Sequence, residues 1–315
     1  MCPMVLEIKP TVDFVFKKVF GSPENVSVLI RLLNAILKLA DPIVHVEILN
    51  PFNYKEFADD KLIVLDIRAR DSAGRWLHIE MQVTIFAGLL QRLVYYACTM
   101  YVDQLKSGGS YADLRSAISI CLLDKKLFPD DATAHHRFRL VDTDHGMEIP
   151  DSIEVHTVEL TKYNLEEATI SVAPEIEQWA FFFLYADRYE PERLCELLPG
   201  IEFQQAISVV EAIAEKTEDR MMYDQRLKAQ LDYQWGLSSA RQKGWDEGME
   251  KGREEGMEEG REQGREQGAA IGKIQILQEL LGDESSSTAS LRERTIGELS
   301  TMLADLQQRL RWRDS

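Results

Sequence analysis

Between residues 64 and 83 the chain alternates apolar and polar side chains, in the order VLDIRARDSAGRWLHIEMQV. Side chains of a strand point alternately to its two faces, so this alternation predicts two strands that each bury one face. Ser72, Ala73 and Gly74 interrupt the alternation and suit a three-residue loop in which the glycine adopts the left-handed conformation. The segment is therefore predicted to be a β-hairpin.

The register that this loop sets brings two acidic side chains to one face of the hairpin. Counting outward from the loop places Arg68 opposite His78 and Asp66 opposite Glu80. Like charges directly across a strand pair cost about 0.2–1 kcal/mol, and more when partly buried, unless a proton or a cation lies between them. Two interpretations stay open: a pair of acids that holds a divalent metal, or neighbouring acids on a solvent-exposed polar face.

Apolar periodicity elsewhere predicts helices on both sides of a strand-rich middle. Helices are predicted at TVDFVFKKVFG, ENVSVLIRLLNAILKL and QRLVYYACTMYVDQL, and further strands at IVHVEIL, SAISICLL, HRFRLVDT and IEVHTVEL. Asp13 lies in the first turn of the first of these helices. This order of elements predicts a single α/β domain over residues 1–165.

The rest of the chain is predicted to be helical. Residues 166–235 form an acidic helical extension, and residues 276–315 form a C-terminal helical tail. Between them, residues 236–275 carry a glycine at every fourth position from Gly244 to Gly272. A glycine inside a helix costs about 0.8–1 kcal/mol relative to alanine. The repeat is therefore either a glycine-seamed helix that packs tightly on a partner or a flexible charged linker.

The net charge of −17 disfavours a protein that coats DNA through a basic surface, because nucleic-acid affinity rests on neutralising phosphates. The charge is uneven, however, since residues 1–128 carry 15 Lys and Arg against 14 Asp and Glu. Such a near-neutral region can still approach a phosphate backbone when its carboxylates bind a metal ion. The N-terminal MCPMVLEIKP does not resemble a signal sequence, no apolar run is long enough to span a membrane, and the cysteines are scattered. We therefore expect a cytoplasmic protein with reduced thiols.

These segments together resemble the Rpn family of recombination-promoting nucleases, also labelled transposases, which belongs to the PD-(D/E)XK nuclease superfamily. The resemblance covers residues 8–275 and is strongest over residues 11–125, through TVDFVFKKVFG, LDIRARDSAGRWLHIEMQ, RLVYYACTMYVDQL and ISICLLD. It implies a restriction-endonuclease-like core, in which helices flank a mixed central sheet. A helical C-terminal region with the glycine-repeat helix follows that core.

The resemblance also implies a set of site residues. The two strand acids of the family match Asp66 and Glu80, and its first-helix acid matches Asp13. The resemblance implies that Asp66 and Glu80, together with the main-chain carbonyl of Met81, bind one or two Mg²⁺. Asp13 is expected to complete this site.

One position departs from the superfamily pattern. The superfamily's lysine, two residues past the glutamate, is here Gln82, which can orient a water but supplies no positive charge. More of the electrostatic stabilisation is then expected from the metal and from Arg92. Arg92 and Tyr95 are candidate supporting residues, or equally side chains that cover the sheet with polar tips.

The function that the resemblance implies is a Mg²⁺-dependent DNA endonuclease that hydrolyses phosphodiester bonds and is linked to recombination or mobile DNA. The alternative is a nuclease fold that has lost catalysis and acts as an interaction protein, oligomerising through residues 236–275. The expected partners are therefore DNA and a second or further copy of the chain, with no membrane.

Overall fold

The computed structural model describes residues 5–53 and 66–313. The chain divides into two compact units, residues 1–234 and residues 235–315. The finer four-part division expected from the sequence stays a prediction. Within the described residues, no helix combines the length and the apolar character needed to cross a membrane.

Within its described residues, the first unit contains a six-stranded mixed sheet with helices on both faces. The strands are β1 (Val46–Ile48), β2 (Ile67–Asp71), β3 (Trp76–Gln82), β4 (Ala117–Leu123), β5 (His135–Arg139) and β6 (Ile153–Glu159). The helices are α1 (Asp13–Phe20), α2 (Val26–Leu37), α3 (Leu89–Asp103), α4 (Glu175–Tyr185), α5 (Pro191–Leu197) and α6 (Ile201–Glu215). The α/β class is confirmed, and so are the helices and strands predicted for residues 11–159 as far as the structure describes them. The strand predicted at HRFRLVDT is shorter than expected, because β5 ends at Arg139.

The strand order in the sheet is β1-β2-β3-β4-β6-β5. The three central strands β3, β4 and β6 are parallel, whereas β1, β2 and β5 each pair antiparallel with their neighbours. Helix α3 provides the crossover that parallel neighbours such as β3 and β4 require. The predicted first strand of the hairpin begins at residue 64, which lies outside the described residues, and β2 starts at Ile67.

The two faces of the sheet differ in character. Leu77 and Ile79 of β3 point into the larger core, where they pack with the apolar faces of α1, α2, α4 and α6. His78 and Glu80 point to the opposite face, where side chains of α3 contact them. That face has a smaller apolar cluster, made of Leu89, Leu93, Ala97, Cys121, Leu123 and Val155. The alternation along β3 thus separates a packing face from a polar one.

The hairpin has the register predicted from its loop. Arg68 pairs with His78, and the backbone N of Asp71 donates to the carbonyl of Arg75 at 3.1 Å, which closes the loop. Gly74 has φ +82°, in the left-handed region that a side chain disfavours. The three-residue loop with a left-handed glycine is therefore confirmed.

The glycine repeat is helical in this structure. Helix α7 (Thr217–Leu281) begins in the first unit and continues into the second, where α8 (Thr288–Arg292) and α9 (Ile296–Arg313) follow it. The second unit has a small apolar core, formed by Ile271, Ile274, Leu291, Leu299 and Leu306. The repeat glycines from Gly244 to Gly272 all lie within α7, and a Cβ added at any of them meets no atom within 4 Å.

We predict that Gly74→Ala lowers the free energy of unfolding by more than the about 1–2 kcal/mol that left-handed backbone costs an ordinary residue. The added Cβ would lie 3.2 Å from Cγ of Arg115, so a contact adds to the backbone strain. Urea denaturation measures the loss. Gly146→Ala is the matched control, because Gly146 has φ +72° and no atom within 4 Å of an added Cβ. A Gly74→Ala variant as stable as the wild type would contradict this account of the loop.

Candidate active site

The two hairpin acids lie on the face of the sheet that α3 covers. Ile67 pairs with Ile79, and the same register one step further places Asp66 opposite Glu80. Asp66 is 4% exposed and Glu80 is 7% exposed. The interpretation of these acids as neighbours on a solvent-exposed face is therefore wrong. Both carboxylates are buried on the same face of the sheet, so each of them needs a charged or hydrogen-bonding partner there.

One oxygen of Asp66 is held by neighbouring side chains and the other is not. Oδ2 lies 3.0 Å from Nε of Arg68 and 3.1 Å from Nε2 of His78. Oδ1 is buried and has no hydrogen-bond partner among the residues that the structure describes. Burial alone would raise the pKa of Asp66, but hydrogen bonding and charge from His78 and Arg68 outweigh burial and lower the pKa below its ordinary value. Asp66 is therefore ionised at neutral pH, with one oxygen unused.

Asn50 fixes the backbone around Asp66. Its Nδ2 donates to the carbonyl of Asp66 at 3.0 Å, and its Oδ1 accepts from the backbone N of Arg68 at 2.7 Å. The Asn50 amide thus continues the hydrogen bonding of β2 beyond Ile48, the last residue of β1. Sequence reasoning missed this residue, because an asparagine after a short strand indicates only a turn.

Arg92 of α3 holds the second acid. Its Nη2 lies 3.1 Å from Oε1 and 3.0 Å from Oε2 of Glu80, and it also donates to Oε1 of Gln82 at 2.9 Å. The guanidinium lies over the ring of Phe86, with Cζ 4.8 Å from the ring centroid. A cation therefore contacts both polar side chains at the C-terminal end of β3.

Gln82 is oriented by contacts at both ends of its amide. The carbonyl oxygen accepts from Arg92, and Nε2 donates to the backbone carbonyl of Thr84 at 2.8 Å. The reverse orientation would place an N–H group against the guanidinium and a carbonyl oxygen against a carbonyl oxygen. The amide is therefore fixed by its neighbours in a single orientation.

Two further residues, in β4 and directly after it, were not singled out from the sequence. Cys121 pairs with Glu80 across β3 and β4, and burial, followed by the charge of Glu80, raises the pKa of its thiol well above the ordinary value. Asp124 follows β4, and its backbone N donates to the carbonyl of Gln82 at 3.4 Å. Burial raises the pKa of Asp124 to about 6, although two lysines nearby oppose this shift. A polar residue directly after the apolar run ISICLL was the available signal for Asp124.

The structure does not bring Asp13 to the two hairpin acids. Asp13 begins α1, and its Oδ1 accepts from the backbone N of Phe14 at 2.5 Å. Its Oδ2 lies 3.9 Å from Nη1 of Arg226 in α7. Burial raises the pKa of Asp13, with Arg226 and the Phe14 N–H opposing the shift. Within the described residues no three His, Cys, Asp or Glu side chains are grouped so as to hold a metal ion, so Asp13 does not form such a group with Asp66 and Glu80.

Tyr95 lies on the exposed side of α3. It is 66% exposed, and its ring contacts that of Tyr96, with the centroids 6.1 Å apart. Tyr96 is the tyrosine that reaches the buried side chains, because its ring centroid lies 4.8 Å from that of His78. Periodicity alone could not separate these two adjacent tyrosines, since both follow Arg92 by about one helical turn.

The residues around the acids fit a divalent cation by their chemistry. Within the described residues, no three or more His, Cys, Asp or Glu side chains are grouped so as to hold a metal ion. Two carboxylates and a main-chain carbonyl require no such group of three side chains. Asp66, Glu80 and the Met81 carbonyl offer oxygen donors only, which hard cations such as Mg²⁺ prefer. Oδ1 of Asp66 is a buried acceptor without a partner in the described structure, whereas Glu80 would share its carboxylate with Arg92.

A comparison of the sequence with protein families identifies the family of this chain. The family described as PD-(D/E)XK nuclease family transposase matches residues 10–240. The chain belongs to this family. The resemblance seen in the sequence is thereby confirmed, and so is the restriction-endonuclease-like α/β fold that it implied. Searches of curated proteins and of solved structures give no match.

The PD-(D/E)XK family match contains the whole hairpin, together with α1 and α3. Nucleases of this superfamily generally use divalent metal ions and act on DNA, which agrees with the oxygen donors of Asp66 and Glu80. The repeat glycines, from Gly244 onward, lie outside the matched residues. The glycine repeat is therefore a feature of this chain that the family match does not explain.

We predict that Arg92→Met lowers the free energy of unfolding by about 1–3 kcal/mol, because the buried carboxylate of Glu80 loses its charged donor. Urea denaturation at neutral pH measures the change. The matched control is Arg70→Met, since Arg70 pairs with Glu47 at 2.6 Å on the solvent-exposed edge of the same sheet. An exposed pair of this kind contributes less than about 1 kcal/mol.

The double variant Arg92→Met/Glu80→Gln should be more stable than Arg92→Met alone, since it removes the charge that would be left unpaired. If Arg92→Met costs no more than Arg70→Met, Arg92 does not stabilise the buried Glu80 carboxylate as described.

Proposed function

We propose that this chain is a metal-dependent endonuclease that hydrolyses phosphodiester bonds in DNA and acts in recombination or on mobile DNA. The observation that supports it most is the buried pair of Asp66 and Glu80 on one face of the sheet, with Oδ1 of Asp66 unpartnered within the described residues. Buried carboxylates are costly unless a cation or hydrogen-bond donors lie with them, and Oδ1 of Asp66 is the oxygen that still has no such partner in the described structure. Membership of a nuclease family makes DNA the substrate class that fits best.

In this proposal Asp66, Glu80 and the main-chain carbonyl of Met81 hold one or two Mg²⁺. When bound, the ion lowers the pKa of a coordinated water and neutralises negative charge on the scissile phosphate. Asp66 is suited to this role because its pKa is already lowered in the protein alone, so no proton has to be displaced at neutral pH.

The remaining groups supply orientation and charge. Gln82 orients the attacking water, and its own amide is held between Arg92 and Thr84. Arg92 places beside Glu80 the positive charge that a glutamine cannot supply, and stabilises the negative charge that develops on phosphate. Asp13 and Tyr95 remain predicted contributors, from α1 and from the exposed side of α3.

We predict that purified full-length protein nicks supercoiled plasmid in the presence of Mg²⁺ and that EDTA abolishes the nicking. Asp66→Asn and Glu80→Gln should each lower the nicking rate at least about 100-fold, the order expected when a group that stabilises transition-state charge is removed. Gel electrophoresis of the plasmid over time measures the rates.

Glu47→Gln is the matched control for these variants. Glu47 is an acid of the same sheet, on the edge strand β1, and its side chain is 54% exposed. This variant should nick at the wild-type rate. Equal activity in Asp66→Asn and wild-type protein, both free of contaminating nuclease, would contradict the proposed site. A folded wild-type protein that cuts no DNA would favour the second candidate function.

The second candidate function is self-association through α7, with or without catalysis in the nuclease fold. Trp245, Met249 and Met257 follow repeat glycines directly, and they are 68%, 62% and 52% exposed. These tryptophan and methionine side chains lie beside the repeat glycines, on a stripe that turns about 40° around the helix with every four residues. Large exposed apolar side chains in a row are typical of interaction surfaces.

The charges on either side of the glycines favour a parallel pair of helices. Three of the positions directly after a repeat glycine are arginines, Arg253, Arg261 and Arg265. Three of the positions directly before one are glutamates, Glu247, Glu255 and Glu259, and two are lysines, Lys243 and Lys251. In a parallel pair the two flanks of one helix face the opposite flanks of the other, so arginines meet glutamates. An antiparallel pair would place like charges together. We therefore propose a second copy of this chain, aligned in parallel, as the partner.

We predict that replacing Gly248, Gly252, Gly256 and Gly260 by alanine dissociates the oligomer. In a lone helix these changes would stabilise α7, by about 0.8–1 kcal/mol each, because each added Cβ meets no atom within 4 Å. Against a second helix the same methyl groups would separate the two backbones. Light scattering after size-exclusion chromatography gives the mass, and circular dichroism gives the helix content.

The control for this variant changes the opposite column of α7. Glu250→Gln, Glu254→Gln, Glu258→Gln and Glu262→Gln together make the same number of substitutions, about 200° around the helix from the glycines. This variant should keep the wild-type mass. A wild-type monomer at tens of micromolar, or an alanine variant that associates as well as the wild type, would contradict self-association through the glycines.

A further inference from the structure

We propose that His78, supported by Ser119, is a positioning residue that holds Asp66 by Oδ2 and so leaves Oδ1 available to a divalent cation. The proposal rests on the proposed function, because it concerns the same carboxylate. It assigns a role to a histidine and a serine that the family resemblance did not single out. Neither residue is proposed to contact the substrate.

The contacts of His78 form a line across three strands. Its Nε2 lies 3.1 Å from Oδ2 of Asp66, and its Nδ1 lies 3.1 Å from Oγ of Ser119. Ser119 is the neighbour of His78 in the pairing of β3 with β4, so the backbone itself sets their separation. Tyr96 covers the imidazole, with the ring centroids 4.8 Å apart. His78 and Ser119 are 1% and 0% exposed, so water does not compete for these contacts.

The chemistry of these contacts selects one form of the ring. A lone pair on Nε2 at 3.1 Å from a carboxylate oxygen would repel it, so Nε2 carries the proton. The hydroxyl of Ser119 can donate to Nδ1 or accept from it, so its contact is compatible with a proton on Nε2. The N–H direction is not yet aligned on Oδ2, since Nε2 has no hydrogen-bond partner of good geometry in the described structure.

Two side chains contact Oδ2 of Asp66, and His78 is the one that is shielded from solvent. The other is Arg68, whose Nε donates at 3.0 Å but whose side chain is 41% exposed. A half-exposed guanidinium exchanges its contacts with water and salt more readily than a buried imidazole does. His78 therefore provides the persistent restraint that keeps Oδ2 occupied and Oδ1 free. Partners that orient a ligating group in this way typically change metal affinity about 10–100-fold when they are removed.

The test is the affinity of the full-length protein for Mn²⁺, measured by isothermal titration calorimetry without DNA. His78→Leu removes the donor and keeps an apolar side chain in the buried space, and it should weaken Mn²⁺ binding about 10–100-fold. His78→Gln places an amide N–H near the position of Nε2, and it should restore most of the affinity. Ser119→Ala should weaken binding in the same direction, by less than His78→Leu.

Kinetics separate positioning from a general structural effect. The kcat for plasmid nicking by His78→Leu should fall at limiting Mn²⁺ and recover at saturating Mn²⁺, while KM for DNA stays at the wild-type value. The matched control is His156→Leu, because His156 is equally buried on β6, with Nε2 3.3 Å from Oε2 of Glu154. This control should lower the thermal unfolding temperature without changing the dissociation constant for Mn²⁺.

The outcomes separate this proposal from the proposed function. Wild-type protein that neither binds Mn²⁺ nor cuts DNA overturns both. Wild-type protein that binds Mn²⁺ and cuts DNA, with His78→Leu equal to it in Mn²⁺ affinity and in kcat, overturns the role of His78 alone. If His78→Leu does not fold, the Mn²⁺ affinities of His78→Gln and Ser119→Ala test the role of His78 instead. Weakening by Ser119→Ala with affinity retained in His78→Gln supports the proposal, and wild-type affinity in Ser119→Ala contradicts it.

Discussion

Two carboxylates buried on the same face of the hairpin are the constraint on which the rest of this site depends. The loop with Gly74 sets the register of β2 and β3, and that register places Asp66 and Glu80 on the face of the sheet that α3 covers. The protein must then supply positive charge or hydrogen-bond donors for both acids, since neither carboxylate is exposed to enough water to be solvated. The two buried acids are therefore stable only together with the cations and hydrogen-bond donors that contact them.

The chain meets this requirement in a different way for each acid. Arg92 reaches down from α3 onto Glu80, so the cation that contacts the glutamate comes from a helix rather than from the strand position of Gln82. Asp66 is held through one oxygen only, by Arg68 and His78, and its other oxygen stays without a partner in the described structure. The site is therefore asymmetric, with one carboxylate largely satisfied and the other open to a ligand. This asymmetry is what makes a bound divalent cation the simplest account of the pair.

The hairpin, its register and its two acids could be predicted because all three follow from residues close together in the chain: the period-two alternation and the turn residues around Gly74. The supporting residues could not be predicted in the same way. Asn50 and Ser119 reach the hairpin only through sheet pairing, and a lone asparagine or serine in the sequence carries no sign of its neighbours. The place of Asp13 depends on Arg226, more than two hundred residues away, which no local pattern reveals. The sequence did not decide whether the glycine repeat forms a helix or a flexible linker, because its glutamates and arginines favour a helix and its glycines disfavour one.

The most direct test of the central claim is anomalous diffraction from a crystal of the full-length protein grown with Mn²⁺. We expect one or two anomalous peaks bound by Oδ1 of Asp66 and the carboxylate of Glu80, with Oδ2 of Asp66 still in contact with His78. Mn²⁺ bound elsewhere, or no peak at saturating Mn²⁺ while Glu80 stays paired with Arg92, would contradict the claim that the hairpin acids form a metal site.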